Sequence, residues 1–145
     1  MTVLATSLSA SSTTTPLATG RMATWTARVA AGLGVAFLTF DTVIKLLQLA
    51  PAVEGTTDLG FPAGAVLWIG LVELACLILY LVPRTALIGA ILWTGYLGGA
   101  IATHVRLESP LFSHTLFPLY VAVLLWLPLW IRDARVRALV GPARP

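Results

Sequence analysis

Charge is scarce in this chain. Nine Lys/Arg and six Asp/Glu residues make up 10% of its 145 positions, and the mean hydropathy is +0.91. Too little polar surface is available to cover a water-soluble globule, so one membrane domain is the expected class. Cysteine is rarer still. Cys76 stands alone inside an apolar run, which excludes an intrachain disulfide, a CxxC pair and thiol-based quinone chemistry within the chain. The formal charge is +3 and the pI near 9.6, yet the cations form no patch interleaved with aromatics, and no nucleic-acid partner is expected. No glycine-rich phosphate loop follows a strand, and nothing suggests a Ser/His/Asp nucleophile. No charged side chain precedes Arg21, so the basic region of a secretory signal is missing, as is its unbroken apolar run. Residues 1–24 are expected to be a disordered tail, within which Met22 would serve as an alternative start.

Long apolar runs are what the sequence has in quantity. The stretch 61–105 holds two of them, joined at Pro83-Arg84, each about 20 residues and long enough to cross a ~30 Å hydrocarbon core. Four spans are predicted, at about 29–50, 61–82, 85–105 and 115–131, with a polar loop at 51–60 and a short basic tail at 138–145. The expected fold is an all-α integral membrane four-helix bundle, its transmembrane domain covering 25–137. Arg21, Arg28, Arg84, Arg132, Arg135, Arg137 and Arg144 flank one side and only Arg106 the other. The positive-inside rule therefore puts both termini in the cytoplasm. No internal repeat relates the first two spans to the last two, so an alternating-access transporter is disfavoured. Gly95 and Gly99 form a small-xxx-small face, read first as helix packing within the bundle and second as a homodimer contact.

The polar residues inside the spans hold whatever chemistry there is. Asp41, Lys45 and Gln48 fall on one helical face, which must look into the bundle because lipid offers no hydrogen bonds. From the outer span ends, Lys45 lies roughly 8 Å down, Asp41 roughly 14 Å and Glu73 roughly 18 Å, at ~1.5 Å per residue. His104 lies nearer the outer mouth, connected to them through Tyr96, Thr103 or water. With Asp41, Lys45 and Glu73 all ionised, the buried site would hold a net negative charge, so Glu73 is expected to be the protonated acid. Such a carboxyl can donate a proton, or a hydrogen bond to a carbonyl oxygen. Two readings stay open: a ligand or proton site, or an ion pair that only fixes helix register. Candidate proton donors and acceptors are Glu73, Asp41 and His104; candidate ligand contacts are Lys45, Gln48, Tyr96 and Thr103. His104, Glu108 and His114 match no compact zinc spacing, and no metal is expected.

The ordered set of Lys45, Asp58-Leu59-Gly60-Phe61-Pro62, Gly70-Leu71-Val72-Glu73-Leu74, Pro83-Arg84 and Gly98-Gly99-Ala100-Ile101-Ala102-Thr103-His104 resembles the DoxX-like family over roughly 32–137. Lys45, Glu73 and His104 match the family pattern; Asp41 has no counterpart in it. The resemblance implies a four-helix bundle in the bacterial inner membrane. The founder of the wider group is a membrane subunit of a thiosulfate:quinone oxidoreductase, and other relatives are associated with respiratory or oxidative-stress functions. Two functional classes follow. One is an accessory or quinone-interacting subunit of a membrane redox system, in which Lys45 and Glu73 address the quinone carbonyls and His104 exchanges protons with the outer face. The other is an acid-base isomerase or cyclase acting on a hydrophobic substrate. A purely structural membrane partner is the third reading. Expected partners are the lipid bilayer, a lipophilic small molecule, and a redox protein or a second copy. No flavin, nicotinamide or haem site is visible, so electrons would come from a partner or from the quinone itself; the cofactor stays open, with quinone as what the resemblance implies.

Overall fold

A computed structural model describes residues 19–140, and all the regular structure in that range is helical. In chain order the helices are α1 (Thr19–Leu46), α2 (Ala50–Asp58), α3 (Ala65–Leu81), α4 (Ala86–Arg106), α5 (Phe117–Arg132) and α6 (Ala134–Val140), with a π-turn at Leu111–Thr115. Segments Gly20–Leu46, Ala86–Arg106 and Leu111–Arg132 are long and apolar enough to cross a membrane. At 17 residues α3 is shorter, about 26 Å at the helical rise. Helix α1 packs on α3 and α5, and so does α4. The four long helices thus form a ring, α1-α3-α4-α5, in which sequential helices run antiparallel.

The interior and the exterior are both apolar. Leu38, Cys76, Leu77, Tyr80, Ala90, Trp93, Leu97, Val121 and Leu125 make the core. Trp68, Phe40, Phe112, Val72 and Ile78 stand exposed outside it, as expected where lipid rather than water surrounds the helices. Gly89 closes the α3-α4 hairpin. A Cβ built there would lie 2.4 Å from the backbone nitrogen of Tyr80, a distance no side chain can occupy. In α5, Pro128 cannot donate to the helical ladder. Three residues earlier, the Leu125 carbonyl accepts a 2.9 Å hydrogen bond from the Tyr80 hydroxyl, tying α3 across the bundle to α5.

Helix boundaries differ from the sequence expectation in three places. Helix α1 starts by Thr19 rather than near residue 29, and within this extension Thr24 and Thr26 return their hydroxyls to the Gly20 and Met22 carbonyls at 2.7 and 3.0 Å. Residues 19–24 therefore belong to a helix and not to a tail; residues 1–18 and 141–145 lie outside the described range. At its other end α1 stops at Leu46 instead of Ala50. Gln48 takes a φ of 49°, with Gln48 N–H donating to Lys45 O and Leu49 N–H to Ile44 O, both at 3.0 Å. That is a Schellman cap with glutamine in the left-handed position usually given to glycine. Pro51 does not end the first span. It sits in the first turn of α2, where its missing N–H has no ladder partner to lose, and the expected loop at 51–60 is mostly this helix.

The same cap recurs. Gly60, at φ 84°, closes α2 through Gly60 N–H to Thr57 O and Phe61 N–H to Thr56 O. Glu108, at φ 52°, closes α4 through Glu108 N–H to Val105 O and Ser109 N–H to His104 O. All three caps lie at one end of the bundle, around the polar residues of interest. The Arg106 guanidinium joins two of them, donating to the Leu59 carbonyl at 2.8 Å.

Candidate functional site

Glycine builds the site before any charged group does. A Cβ on Gly70 would stand 3.1 Å from Lys45 Cβ and 3.2 Å from the Leu46 nitrogen, so α3 crosses the end of α1 at this point. Glu73, one turn further along α3, is thereby set opposite Lys45. Lys45 occupies the last turn of α1, where the helix dipole favours a cation. Glu73 is fully buried and Lys45 nearly so, at 0% and 14% side-chain exposure, while Asp41 keeps 27%.

The Lys45 ammonium gathers three oxygens. It donates to Asp41 Oδ2 at 2.6 Å, to Glu73 Oε1, and to the Tyr96 hydroxyl at 3.2 Å. Tyr96 in turn donates to Glu73 Oε1, so that oxygen holds both an ammonium and a phenol. The phenol ring is fixed edge-on to Trp93, with centroids 5.3 Å apart. Glu73 Oε2, Thr42 Oγ1 and Trp93 Nε1 are buried without a hydrogen-bond partner among the described residues. Three helices therefore converge on one charged group, with two carboxyls, one ammonium and one phenol in mutual reach.

A cleft of about 370 Å³ opens beside this group. Lys45 and Tyr96 form its polar end; Ile69, Leu59 and Phe61 wall it, and Gly95, Gly99 and Ala100 lie along its α4 side. Nothing comes within 4 Å of a Cβ built at Gly95 or Gly99. These glycines accordingly do not pack a helix within the bundle, contrary to the first reading of the sequence; they leave room. Packing falls instead to Gly34, Gly70 and Gly89, which lie outside the obvious Gly-rich motif.

The other predicted residues divide. Thr103 lines the cleft, although its hydroxyl returns to the Gly99 carbonyl at 2.9 Å. Gln48 lies beyond the end of α1 and is exposed, so the polar face of that helix ends at Lys45. His104 pairs its Nδ1 with Ser109 Oγ at 3.2 Å and meets the His114 ring edge-on at 5.8 Å. It joins neither the lysine cluster nor the cleft lining. The α2 contribution, Thr56 and Leu59, was missed because residues 51–60 read as loop; Pro51 directly after a helix end was the available signal.

Comparison with known families settles the kinship: a family model for DoxX-like proteins matches residues 29–128. The chain belongs to the DoxX-like family. The matched region contains α2, α3 and α4 whole, together with Asp41, Lys45, Glu73, Tyr96 and the glycines of the cleft. This DoxX-like chain is accordingly a membrane protein, with several helices fit to span a bilayer. No curated protein and no solved structure matches it.

Proposed function

We propose that the cleft binds a lipophilic quinone and that the protein serves as a quinone-interacting or accessory subunit of a membrane redox system. The observation behind this reading is a mainly apolar, glycine-lined cleft whose lining includes the Lys45 ammonium and the Tyr96 phenol, beside Thr56 and Thr103. A flat ring needs the space left by Gly95 and Gly99, and a carbonyl oxygen needs donors at one edge. Apolar pockets with a few convergent polar groups are the usual form of small-molecule sites. Lys45 supplies a fixed positive charge toward a carbonyl oxygen on which negative charge develops. Glu73 and Asp41 hold that ammonium in place, and the Glu73-Tyr96 pair keeps a proton within one hydrogen bond of the cleft. His104 and His114, at the same end, would exchange protons with the aqueous phase. We place that end outside and both termini in the cytoplasm of a bacterial inner membrane, from the arginine distribution.

A second reading rests on the same four groups. A carboxyl, a phenol and an ammonium in mutual contact also make an acid-base set for isomerising or cyclising a hydrophobic substrate. One experiment separates the two. Mass spectrometry of the organic extract from protein purified in mild detergent should show a stoichiometric quinone, lost in Gly99→Leu, which fills the cleft. A non-quinone lipophile lost in the variant favours the acid-base reading. Bulk phospholipid alone, equal in both proteins, refutes a ligand site and leaves the charged group a structural one.

A further inference from the structure

The opposite end of the bundle holds a larger cleft. It measures about 530 Å³ and lies between α1, α3 and α5, beneath the α3-α4 turn. Ala31, Val35, Leu129 and Pro83 make it apolar inside, and Arg132 with Asp133 borders it where α5 ends. Gly34 shows why the space exists. A Cβ there would lie 3.3 Å from Leu124 Cβ, so α1 and α5 touch at that level, and the small Ala31 on the next turn lets them part.

Charge at this end is one-sided. Arg21, Arg28, Arg84, Arg132 and Arg137 belong to it, and Asp133 is its only acid among the described residues; the other end places Glu54, Asp58 and Glu108 against Arg106. Asp133 already has an interaction of its own within the protein. Arg137 is likewise committed, donating to the Trp130 and Ile131 carbonyls at 2.8 Å, and it closes the α5 terminus. Arg84, next to the cleft residue Pro83, is exposed in the turn. A hollow that is apolar along α1 and α5 and polar where Arg132 and Asp133 border it, at the level where helices leave the hydrocarbon, is shaped for an amphiphile with a negative head. Guanidinium groups bind phosphate through two parallel N–H donors, and basic pockets between membrane helices hold anionic lipid head groups.

We propose that this cleft is a binding site for an anionic phospholipid, with its phosphate on Arg132 and its glycerol and upper acyl carbons against Ala31, Val35 and Leu129. The site is separate from the Lys45 cleft and does not depend on what binds there. The volume suits the head and backbone of one lipid, within the usual size of small-molecule pockets. The chains would continue into the bilayer along α1 and α5.

The test is titration of the full-length protein in neutral detergent with phosphatidylglycerol, read by native mass spectrometry and by thermal stabilisation. Phosphatidylcholine and inorganic phosphate are the parallel arms. Phosphatidylglycerol should bind and stabilise where phosphatidylcholine does not. Arg132→Gln should weaken binding about tenfold, the scale of one lost charged hydrogen bond. Val35→Phe, which fills the hollow without touching a charge, should weaken it comparably while circular dichroism stays that of the parent. Arg28→Gln, one turn outside the cleft, should change it less than about twofold. Equal losses from Arg28→Gln and Arg132→Gln, with none from Val35→Phe, would show a diffuse basic flank and overturn the site. Stabilisation by inorganic phosphate equal to that by the lipid would make the ligand a soluble anion and overturn the lipid assignment.

Discussion

Removing Lys45 should damage this protein far more than removing Glu73, though the two residues are partners. In Lys45→Met, Glu73 is left fully buried and Asp41 three-quarters buried, two carboxyls facing one another without a cation. Breaking a buried pair by deleting one member costs about 3–5 kcal/mol, and here the deletion strands two groups. In Glu73→Gln, by contrast, Lys45 keeps Asp41 at 2.6 Å and the Tyr96 hydroxyl at 3.2 Å. The amide still offers an oxygen where Oε1 was, so the loss reduces to one charge-assisted hydrogen bond, about 1–2 kcal/mol. The double variant Lys45→Met/Glu73→Leu should be less unstable than Lys45→Met alone, since it removes the stranded buried acid. Reversible unfolding in mixed micelles across the three variants measures all of this. If Glu73→Gln costs as much as Lys45→Met, or if the double variant is the worst of the three, the cluster is not organised around the ammonium and the reasoning fails.

The glycines supply the next tests. Gly70→Ala should cost about 1–3 kcal/mol, as overpacking does, by pressing α3 away from Lys45; a loss below about 0.5 kcal/mol in the same unfolding assay, the size of an ordinary surface substitution, contradicts the close crossing. Gly89→Val meets backbone that cannot yield and should abolish the folded monodisperse peak in size-exclusion chromatography. Gly99→Leu is the counter-case: its Cβ has nothing within 4 Å and the rest of the side chain enters the open cleft, so stability should stay within about 0.5 kcal/mol while the extracted quinone disappears. Gln48→Gly should stabilise by about 1 kcal/mol, by removing the left-handed penalty of a side chain at the α1 cap; no gain in unfolding free energy would mean the cap opens readily.

Much of the bundle was legible because its cause is local. A run of apolar residues longer than the hydrocarbon core must be helical to satisfy its own backbone, and so α3 and α4 stand close to where the runs in 61–105 predicted them. The helix ends were less legible. A Schellman cap on Gln48 or Glu108 breaks the usual glycine rule, and the residues alone give no sign that the left-handed turn is accepted there. The N-terminal extension of α1 was hidden for a related reason. Thr and Ser weaken helices in general, yet Thr24 and Thr26 are helical here, with their hydroxyls bonded to carbonyls one turn back.

What the sequence determined by itself was the class and the cast: a helical membrane protein of the DoxX-like family, with Asp41, Lys45 and Glu73 as ionisable groups inside its spans that need partners. Those follow from composition, from run length and from the high free energy of an ionised side chain in hydrocarbon. What only the tertiary structure decided was which small residue does which work. Gly70 and Gly89 are crossings, Gly95 and Gly99 are space, and α2 is a wall of the cleft rather than a loop. A glycine looks the same in a sequence whether another helix touches it or nothing does. The difference arises only when α3 is laid across α1 and α4, which also brings Tyr96 onto the Lys45-Glu73 pair and leaves His104 beside His114 instead.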